Sequence, residues 1–443
     1  MQETPRKELS LLDSTCLIVG IIIGTGIYTM SPDIAKGAGG GWGVMAIWLV
    51  GGLISLCGAL GYAELASAYP REGGDYVYLS RAFGRWAGFL FGWVRMVIVQ
   101  PGDIAVMAFF FAVYAAVLYD PLPEGRQAAT LRLYACAAVV VLTAINIIGV
   151  KAGKWAQNVL TILKALGLLA IVGVALAAPP GRAAAAAAVE SRPWSLALIL
   201  VLFAFGGWNE MAYVAAEVKN PGRNILRALV LGTAAVTVLY LLVNAAFLYT
   251  LGYEGLAMSS APAADSVAAA LPAAGGRIIS AMICLSALGA ANGLVLTGAR
   301  ISYAVGAEHR AFRALGQWHP RTGTPLRALL VQGAIAVTLI LVLGSFVEAV
   351  LYTAAPVYLF FVATSAALIV LRFKDRGTER PYRVTAYPVP ILIFAAVCGF
   401  LIYSAVTYKP WISAAATGIV LLGLPIYWLT SRRGKIAAPG GGP

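Results

Sequence analysis

The chain has 443 residues, of which 60% are hydrophobic and 12% are charged, and its formal net charge is +13. Soluble domains have roughly 25% charged residues, and a mean hydropathy of +0.83 leaves too few polar side chains to cover a surface in contact with water. The composition excludes a soluble enzyme, a disordered chain and a disulfide-stabilised secreted domain, and it predicts an integral membrane protein.

Twelve apolar segments are long enough to cross a bilayer, which requires about 20 apolar residues. We number them span one to span twelve in chain order: 12–31, 44–68, 86–119, 129–149, 155–178, 194–217, 226–250, 278–303, 327–346, 348–371, 389–408 and 411–430. They predict an all-α membrane protein. The third segment has 34 residues, too few for two spans and a turn, so we expect one steeply tilted helix.

The distribution of Lys and Arg predicts the orientation. With the N-terminus in the cytoplasm, the inner segments hold 22 basic residues and the outer segments hold 7, while Arg95, Lys164 and Arg300 lie within spans. By the positive-inside rule, this excess places both termini in the cytoplasm, in a plasma membrane or a bacterial inner membrane. Because topology accounts for the positive charge, no nucleic-acid partner is expected.

Spans one and six each carry glycines in the middle of an apolar run. Span one reads IIIGTGIY over 21–28, and span six reads FAFGGWNE over 203–210. Gly24 and Gly206 are 182 residues apart, as are the predicted span starts at 12 and 194. Paired interruptions of this kind are typical of transporters built from two repeats. We therefore expect repeats over 12–178 and 194–371, two extra helices over 389–430, and cytoplasmic tails over 1–11 and 431–443.

A helix interrupted inside the bilayer leaves backbone N–H and C=O groups that only a cavity or a ligand can satisfy. Freed N–H groups at a helix start favour a carboxylate, and here they belong to Thr25, Gly26 and Ile27. Freed carbonyls accept hydrogen bonds from an ammonium, and here they belong to residues near Ile22, Phe203 and Phe205. An α-amino acid carries both groups a short distance apart. For Gly51, Gly52 and Gly58 we expect close helix packing instead.

An ionisable residue inside a membrane span raises the free energy of insertion, so its presence indicates either a functional role or a paired partner. Lys164, in the middle of span five, could occupy the place of a sodium ion or carry a proton. Arg95 and Asp103 in span three could pair with neighbours or solvate a vestibule. Glu210 could face the substrate pocket or a water-filled path.

Short motifs in a fixed order make the chain, over about residues 10–430, resemble the amino acid–polyamine–organocation superfamily, and within it the L-type amino-acid transporter family. The motifs are GTGI at Gly24–Ile27, YAEL at Tyr62–Leu65, GGDY at Gly73–Tyr76, FAFGGWN at Phe203–Asn209, EVKNPGRN at Glu217–Asn224 and ERP at Glu379–Pro381. The resemblance implies a LeuT-type fold and alternating access, with substrate held between spans one, three, six, eight and ten.

The resemblance also implies roles for individual residues. Span one supplies the carboxylate cradle, and carbonyls of Ile22, Phe203 and Gly206 accept from the amine. Phe203 resembles the aromatic lid and Asn209 its polar support. Lys164 resembles the lysine that replaces sodium, and Thr297 lies in a stretch without the hydroxyl pair of sodium-coupled relatives. The predicted substrate-binding residues are Ile22, Ile23, Thr25, Gly26, Ile27, Phe203, Ala204, Phe205, Gly206, Asn209 and Glu210.

Two departures from the family pattern matter. The loop 119–130 has no cysteine, so no disulfide-linked heavy chain is expected, and Glu210 replaces an aromatic or small polar residue.

Without metal-ligand spacings or a catalytic motif, we predict no metal, no cofactor and no enzyme activity. The sequence thus predicts a sodium-independent exchanger of neutral L-amino acids. A proton-coupled symporter with Lys164 as the titrating group stays open, and a sensor or channel is disfavoured by the short inner loops.

Overall fold

The described part of the computed structural model is helical throughout, apart from loops and two isolated bridges. It comprises residues 9–24, 26–70, 74–123, 125–148, 164, 166–174, 177, 189–213, 215, 218–272, 275–309, 312–317, 319 and 324–431. Within these ranges, eleven helical segments are long and apolar enough to cross a membrane. They correspond to every predicted span except span five, of which only residues 164, 166–174 and 177 are described.

The helices of the described spans are as follows, in chain order. Span one consists of Leu11–Ile22, Gly26–Thr29 and Ser31–Ala38, span two of Gly41–Ala68, span three of Arg85–Val94, Arg95–Val99 and Gln100–Leu118, and span four of Gln127–Ile148. Span six consists of Trp194–Ala204 and Trp208–Ala212. Spans seven to twelve are Pro221–Met258, Gly275–Glu308, Leu326–Leu343, Phe346–Lys374, Val389–Tyr408 and Pro410–Ser431. Two shorter helices, Asp75–Phe83 and Pro262–Ala270, lie between spans.

Three details differ from the sequence prediction. Span seven is longer than the predicted 226–250, because Pro221 starts the helix with a residue suited to its first turn. At its other end the segment continues through a kink at Gly252, where φ is +71°. In span three, Arg95–Val99 form a π-helical turn inside the tilted helix. In span six, the second half is the 3-10 helix Trp208–Ala212, and the predicted end at residue 217 lies outside the described residues.

The spans pack as two groups. Span seven packs against spans one and two, and the first half of span six packs against the same two spans. Span three instead packs against spans four, eight, nine and ten. The broken spans one and six therefore belong to one group, and span three belongs to the other.

Glycines permit the close approach of helices within the first group. A Cβ on Gly52 would lie 2.5 Å from the hydroxyl of Thr237 in span seven, and a Cβ on Gly58 would lie 2.7 Å from Trp208 and Phe394. Gly51 likewise has no room for a Cβ beside Val201. The predicted packing role of these three glycines is confirmed.

A buried ion cluster joins span two to the end of span ten. Glu64 is fully buried and accepts hydrogen bonds from Arg372 Nε at 2.8 Å, from Arg380 Nη1 at 3.4 Å and from the backbone N–H of Val384 at 2.8 Å. Glu64 and Arg380 belong to two of the sequence motifs, YAEL and ERP. These motifs, more than 300 residues apart, thus form one structural contact.

We expect Glu64→Ala to destabilise the fold by about 3–5 kcal/mol, because two arginines lose a buried counter-charge. The matched control is Glu348→Ala, which breaks the more exposed pair between Glu348 and Lys409, 3.1 Å apart, and is expected to cost at most about 1 kcal/mol. Thermal unfolding of both purified variants in detergent compares them, and equal melting temperatures would contradict the assignment.

Candidate functional site

The interruptions of spans one and six lie side by side. The first half of span one ends at Ile22 and the second begins at Gly26, while span six is interrupted between Ala204 and Trp208. A Cβ on Gly26 would lie 3.5 Å from the Ala204 Cβ. On the other side of the interruption, a Cβ on Gly207 would lie 2.5 Å from Ile21 Cγ2, and Gly207 also has a φ of +112° that favours glycine.

These two contacts bring helix ends of opposite polarity together. At Gly26 and Ala204, the start of one half-helix contacts the end of another, and the same holds at Gly207 and Ile21. Helix starts carry partial positive charge and helix ends carry partial negative charge. The junction therefore presents donors and acceptors next to each other, as a zwitterion requires.

A tyrosine in span seven connects both interruptions. The buried Tyr240 hydroxyl lies 2.8 Å from the carbonyl oxygen of Ile22 and 3.2 Å from that of Ala204. Its ring packs against Trp48 and Phe205, with ring centroids 5.2 Å away in both cases. The single hydroxyl hydrogen of Tyr240 is thus shared between the carbonyl ends of both first half-helices.

Further contacts hold the second half of span one against span seven. Asn244, one turn after Tyr240, accepts a hydrogen bond from the Ser31 hydroxyl at 3.0 Å, and Tyr253 donates to the carbonyl of Ala35 at 3.2 Å. Neither Tyr240 nor Asn244 is among the site residues predicted from the sequence. The available signal was a polar group in the middle of an apolar span, which requires a hydrogen-bond partner when it is buried.

The predicted substrate-binding residues divide into two sets. Ile22, Ile23, Gly26, Ile27, Ala204, Phe205 and Asn209 are buried, and Phe205 lies within the aromatic cluster around Tyr240. The partly exposed set consists of Phe203, Gly206 and Glu210. Thr25 lies outside the described residues.

Two of the carbonyls predicted to accept from an amine already have protein donors. The carbonyl of Ile22 accepts from the N–H of Gly24 at 2.6 Å as well as from Tyr240, and the carbonyl of Phe203 accepts from the N–H of Gly206 at 2.9 Å. A substrate ammonium would share or replace these donors.

Lys164 is buried at the edge of a small cavity, and the Tyr28 hydroxyl donates to its carbonyl oxygen at 3.2 Å. The cavity is lined by Tyr28, Lys164, Gly167, Ile171, Ile279, Met282, Ile283 and Ser286. Thr297 instead donates to the carbonyl of Gly293 at 2.9 Å and accepts from Gln100 at 3.3 Å. In the described part of the chain, no hydrogen bond joins Lys164 to Thr297.

Glu210 forms an ion pair across the two groups of spans. Arg95 Nη2 in span three lies 3.1 Å from Glu210 Oε1 in span six, and the guanidinium lies 5.7 Å from the centre of the Tyr213 ring. The partner of Arg95 is therefore Glu210, one turn after the interruption.

A second polar cluster lies at the end of the bundle where span one begins. Asp75, in the short helix between spans two and three, accepts from the hydroxyls of Tyr62, Thr364 (2.7 Å) and Tyr213 (3.2 Å). Burial raises the pKa of Asp75, and the hydrogen bonds from Tyr62 and Thr364 oppose this shift. The cluster joins spans two, six and ten.

Two adjacent helix interruptions inside a multi-span helical bundle are typical of membrane transporters, in which such interruptions mark the binding site. The chain belongs to the amino acid permease family, whose model matches residues 9–424. It is thus a multi-pass membrane transporter of the amino acid–polyamine–organocation superfamily and not an enzyme, which confirms the family predicted from the motifs.

Individual relatives cover nearly the whole chain. The b(0,+)-type amino acid transporter 1 of Mus musculus is 31% identical over 96% of this chain and 88% of its own length. The serine/threonine exchanger SteT of Bacillus subtilis (strain 168) is 30% identical over 97% of this chain and 98% of its own length. The large neutral amino acids transporter small subunit 2 of Homo sapiens is 31% identical over 96% of this chain and 80% of its own length.

We expect Tyr240→Phe to weaken substrate binding by about tenfold or more, because removing a buried hydroxyl leaves acceptors unpaired at a cost of about 1–3 kcal/mol. The matched control is Tyr358→Phe, since the buried Tyr358 hydroxyl donates to the carbonyl of Ile199, within the regular helix of span six, at 3.2 Å. Equilibrium binding of a labelled amino acid to both variants distinguishes them. Equal losses of affinity would remove Tyr240 from the site.

Proposed function

We propose that the protein is a sodium-independent exchanger of neutral L-amino acids that works by alternating access. The proposed architecture is a LeuT-type inverted repeat with halves over 12–178 and 194–371 and extra helices over 389–430, twelve spans in all. Both termini are cytoplasmic in this proposal, in a plasma membrane or a bacterial inner membrane, and no disulfide-linked heavy chain is required. The relatives include an exchanger and amino acid transporters by name.

One observation carries the proposal, namely the junction at which Gly26 contacts Ala204 and Tyr240 contacts both interruptions. In this proposal the N–H groups of residues 25–27 bind the substrate carboxylate, and carbonyls of Ile22, Phe203 and Gly206 bind the ammonium. Ile23, Ala204 and Phe205 shape the back of the site, with Asn209 supporting it. Phe203 and Glu210, which are partly exposed, contact the substrate side chain.

The division of the spans into two groups supports alternating access. Spans one, two, six and seven pack together, and span three packs with spans four, eight, nine and ten. The ion pair between Arg95 and Glu210 joins the two groups beside the junction. Opening one end of the site requires these groups to move relative to each other, so this pair would break in one state and form in the other.

Lys164 supports independence from sodium. Burying an ammonium costs several kcal/mol unless nearby groups stabilise its charge. In the proposal, the Lys164 ammonium interacts with the carbonyl ends of the half-helices that a sodium ion would otherwise coordinate. Thr297 is then what remains of a sodium site on span eight. The alternative is a proton-coupled symporter, in which Lys164 gives up and regains a proton. Both alternatives place Lys164 beside the junction, and they differ in what drives uptake.

Uptake into proteoliposomes tests the proposal. In sodium-free buffer, we expect labelled leucine or serine to enter vesicles preloaded with unlabelled neutral amino acid, and to enter empty vesicles only at background rates. Exchange needs no ion because each inward step is completed by a substrate moving out. Protein-free vesicles are the control.

Two further conditions separate the alternatives. Adding sodium outside is expected to leave the exchange rate unchanged, whereas stimulation by sodium would contradict the role given to Lys164. Uptake into empty vesicles that rises with an inward proton gradient would reject the exchanger and favour the symporter.

A further inference from the structure

The short helix Asp75–Phe83, which lies between spans two and three, belongs to the second group of spans. It packs against the helix Arg85–Val94 at the start of span three and against span ten, which itself packs against span three. Asp75 is the first residue of this short helix. The second group, in which span three packs with spans four, eight, nine and ten, therefore carries the Asp75 carboxylate.

The Asp75 carboxylate accepts hydrogen bonds from both groups of spans. From the first group, it accepts from the hydroxyl of Tyr62 in span two and, at 3.2 Å, from that of Tyr213, which directly follows the second half of span six. Thr364 of span ten donates to it from the second group at 2.7 Å. Only 2% of Asp75 is exposed, and a buried carboxylate depends on such donors. Two of these three donors thus belong to the opposite group.

Tyr213 also contacts the second group through its ring. A Cβ on Gly74, the residue before Asp75, would lie 3.1 Å from Tyr213 Cε1, and Gly74 has a φ of +47° that favours glycine. The Arg95 guanidinium of span three lies 5.7 Å from the centre of the same ring, within the range of a cation–π contact. The turn before the short helix and the π-helical turn of span three therefore both lie against Tyr213.

Tyr62 and Tyr213 are connected within the first group. The Tyr62 ring lies edge-on to the ring of Trp208, the first residue of the second half of span six, with ring centroids 5.1 Å apart. Span two and this second half also pack against each other. If the two groups of spans separate, Tyr62 and Tyr213 would therefore leave Asp75 together, whereas Thr364 would stay.

We propose that Asp75 is a positioning residue for transport. Its carboxylate holds Tyr62 and Tyr213 while the end of the bundle where span one begins is closed, and releases them when that end opens. The inference rests on the alternating access of the proposed function and adds the residues that hold this end shut. On opening, water replaces the two tyrosine hydroxyls and Thr364 keeps its hydrogen bond, so no buried donor or acceptor is left unpaired.

Amide hydrogen exchange of the purified protein, followed by mass spectrometry without ligand, tests the inference, because exchange rates report local opening. Tyr213→Phe removes one donor of the opposite group and keeps the ring. We expect amide exchange to become about tenfold faster or more in Leu11–Ile22 and Trp208–Ala212, as for loss of one hydrogen bond to a charged group. In Ser31–Ala38, at the other end of span one, it should become slower, because alternating access closes one end as the other opens.

Thr364→Val is the matched control. It removes a hydrogen bond to the same carboxylate, but Thr364 and Asp75 both belong to the second group, so the balance between the open and closed states should not change. We expect no opposite shifts of amide exchange at the two ends of span one. Tyr62→Phe removes the other donor of the first group and should repeat the pattern of Tyr213→Phe, which keeps the test decisive should one variant fail to fold.

Two results would overturn the inference. The tyrosine variants could accelerate amide exchange at both ends of span one alike, which indicates general destabilisation, or Thr364→Val could produce the same opposite shifts as they do. Either result would reject Asp75 as a positioning residue and leave the proposed function standing. The proposed function fails separately, if no amino acid exchanges in the proteoliposome assay.

Discussion

The structure depends on one hydroxyl group. Interrupting two helices inside a bilayer exposes backbone groups that lipid cannot satisfy, and Tyr240 supplies a donor to the carbonyl ends of both first half-helices, at Ile22 and Ala204. Because its hydroxyl lies within hydrogen-bond distance of both carbonyls, Tyr240 links the two interruptions. The contacting helix ends have opposite polarity, which suits a ligand that carries both charges.

Other contacts extend from this point in two directions. Asn244 and Tyr253 hold the second half of span one against span seven. Towards the end of the bundle where span one begins, Glu210 pairs with Arg95, and Tyr213 donates to Asp75. These polar contacts join the second half of span six to its surroundings and are of a kind that can break and reform during transport. The packed aromatic cluster around Tyr240 is of a kind that keeps its arrangement, whereas the ion pair between Arg95 and Glu210 is of a kind that can separate.

Much of the fold, including the two helix interruptions, follows from the sequence. Apolar runs predict the spans, and the glycines at Gly24 and Gly206 predict the interruptions, because both signals are local. The partners of polar residues are not local. A tyrosine inside an apolar span indicates a buried hydrogen bond, but the sequence does not show which group accepts from Tyr240. For Arg95, the sequence allows a pair with Asp103, eight residues away, as readily as the observed pair with Glu210, 115 residues away. The full length of span seven does not follow from its apolar run, because the helix continues at both ends into polar residues.

The central claim is that the junction recognises the α-ammonium and the α-carboxylate together. The most direct measurement is competition for amino-acid binding by L-leucine, by L-leucinol, which lacks the carboxylate, and by 4-methylpentanoate, which lacks the amine. All three carry the same side chain, so differences report on the junction alone. We expect leucine to compete and each analogue to bind at least about tenfold more weakly, which corresponds to the loss of one charged hydrogen bond. Equal competition by leucine and either analogue would contradict it.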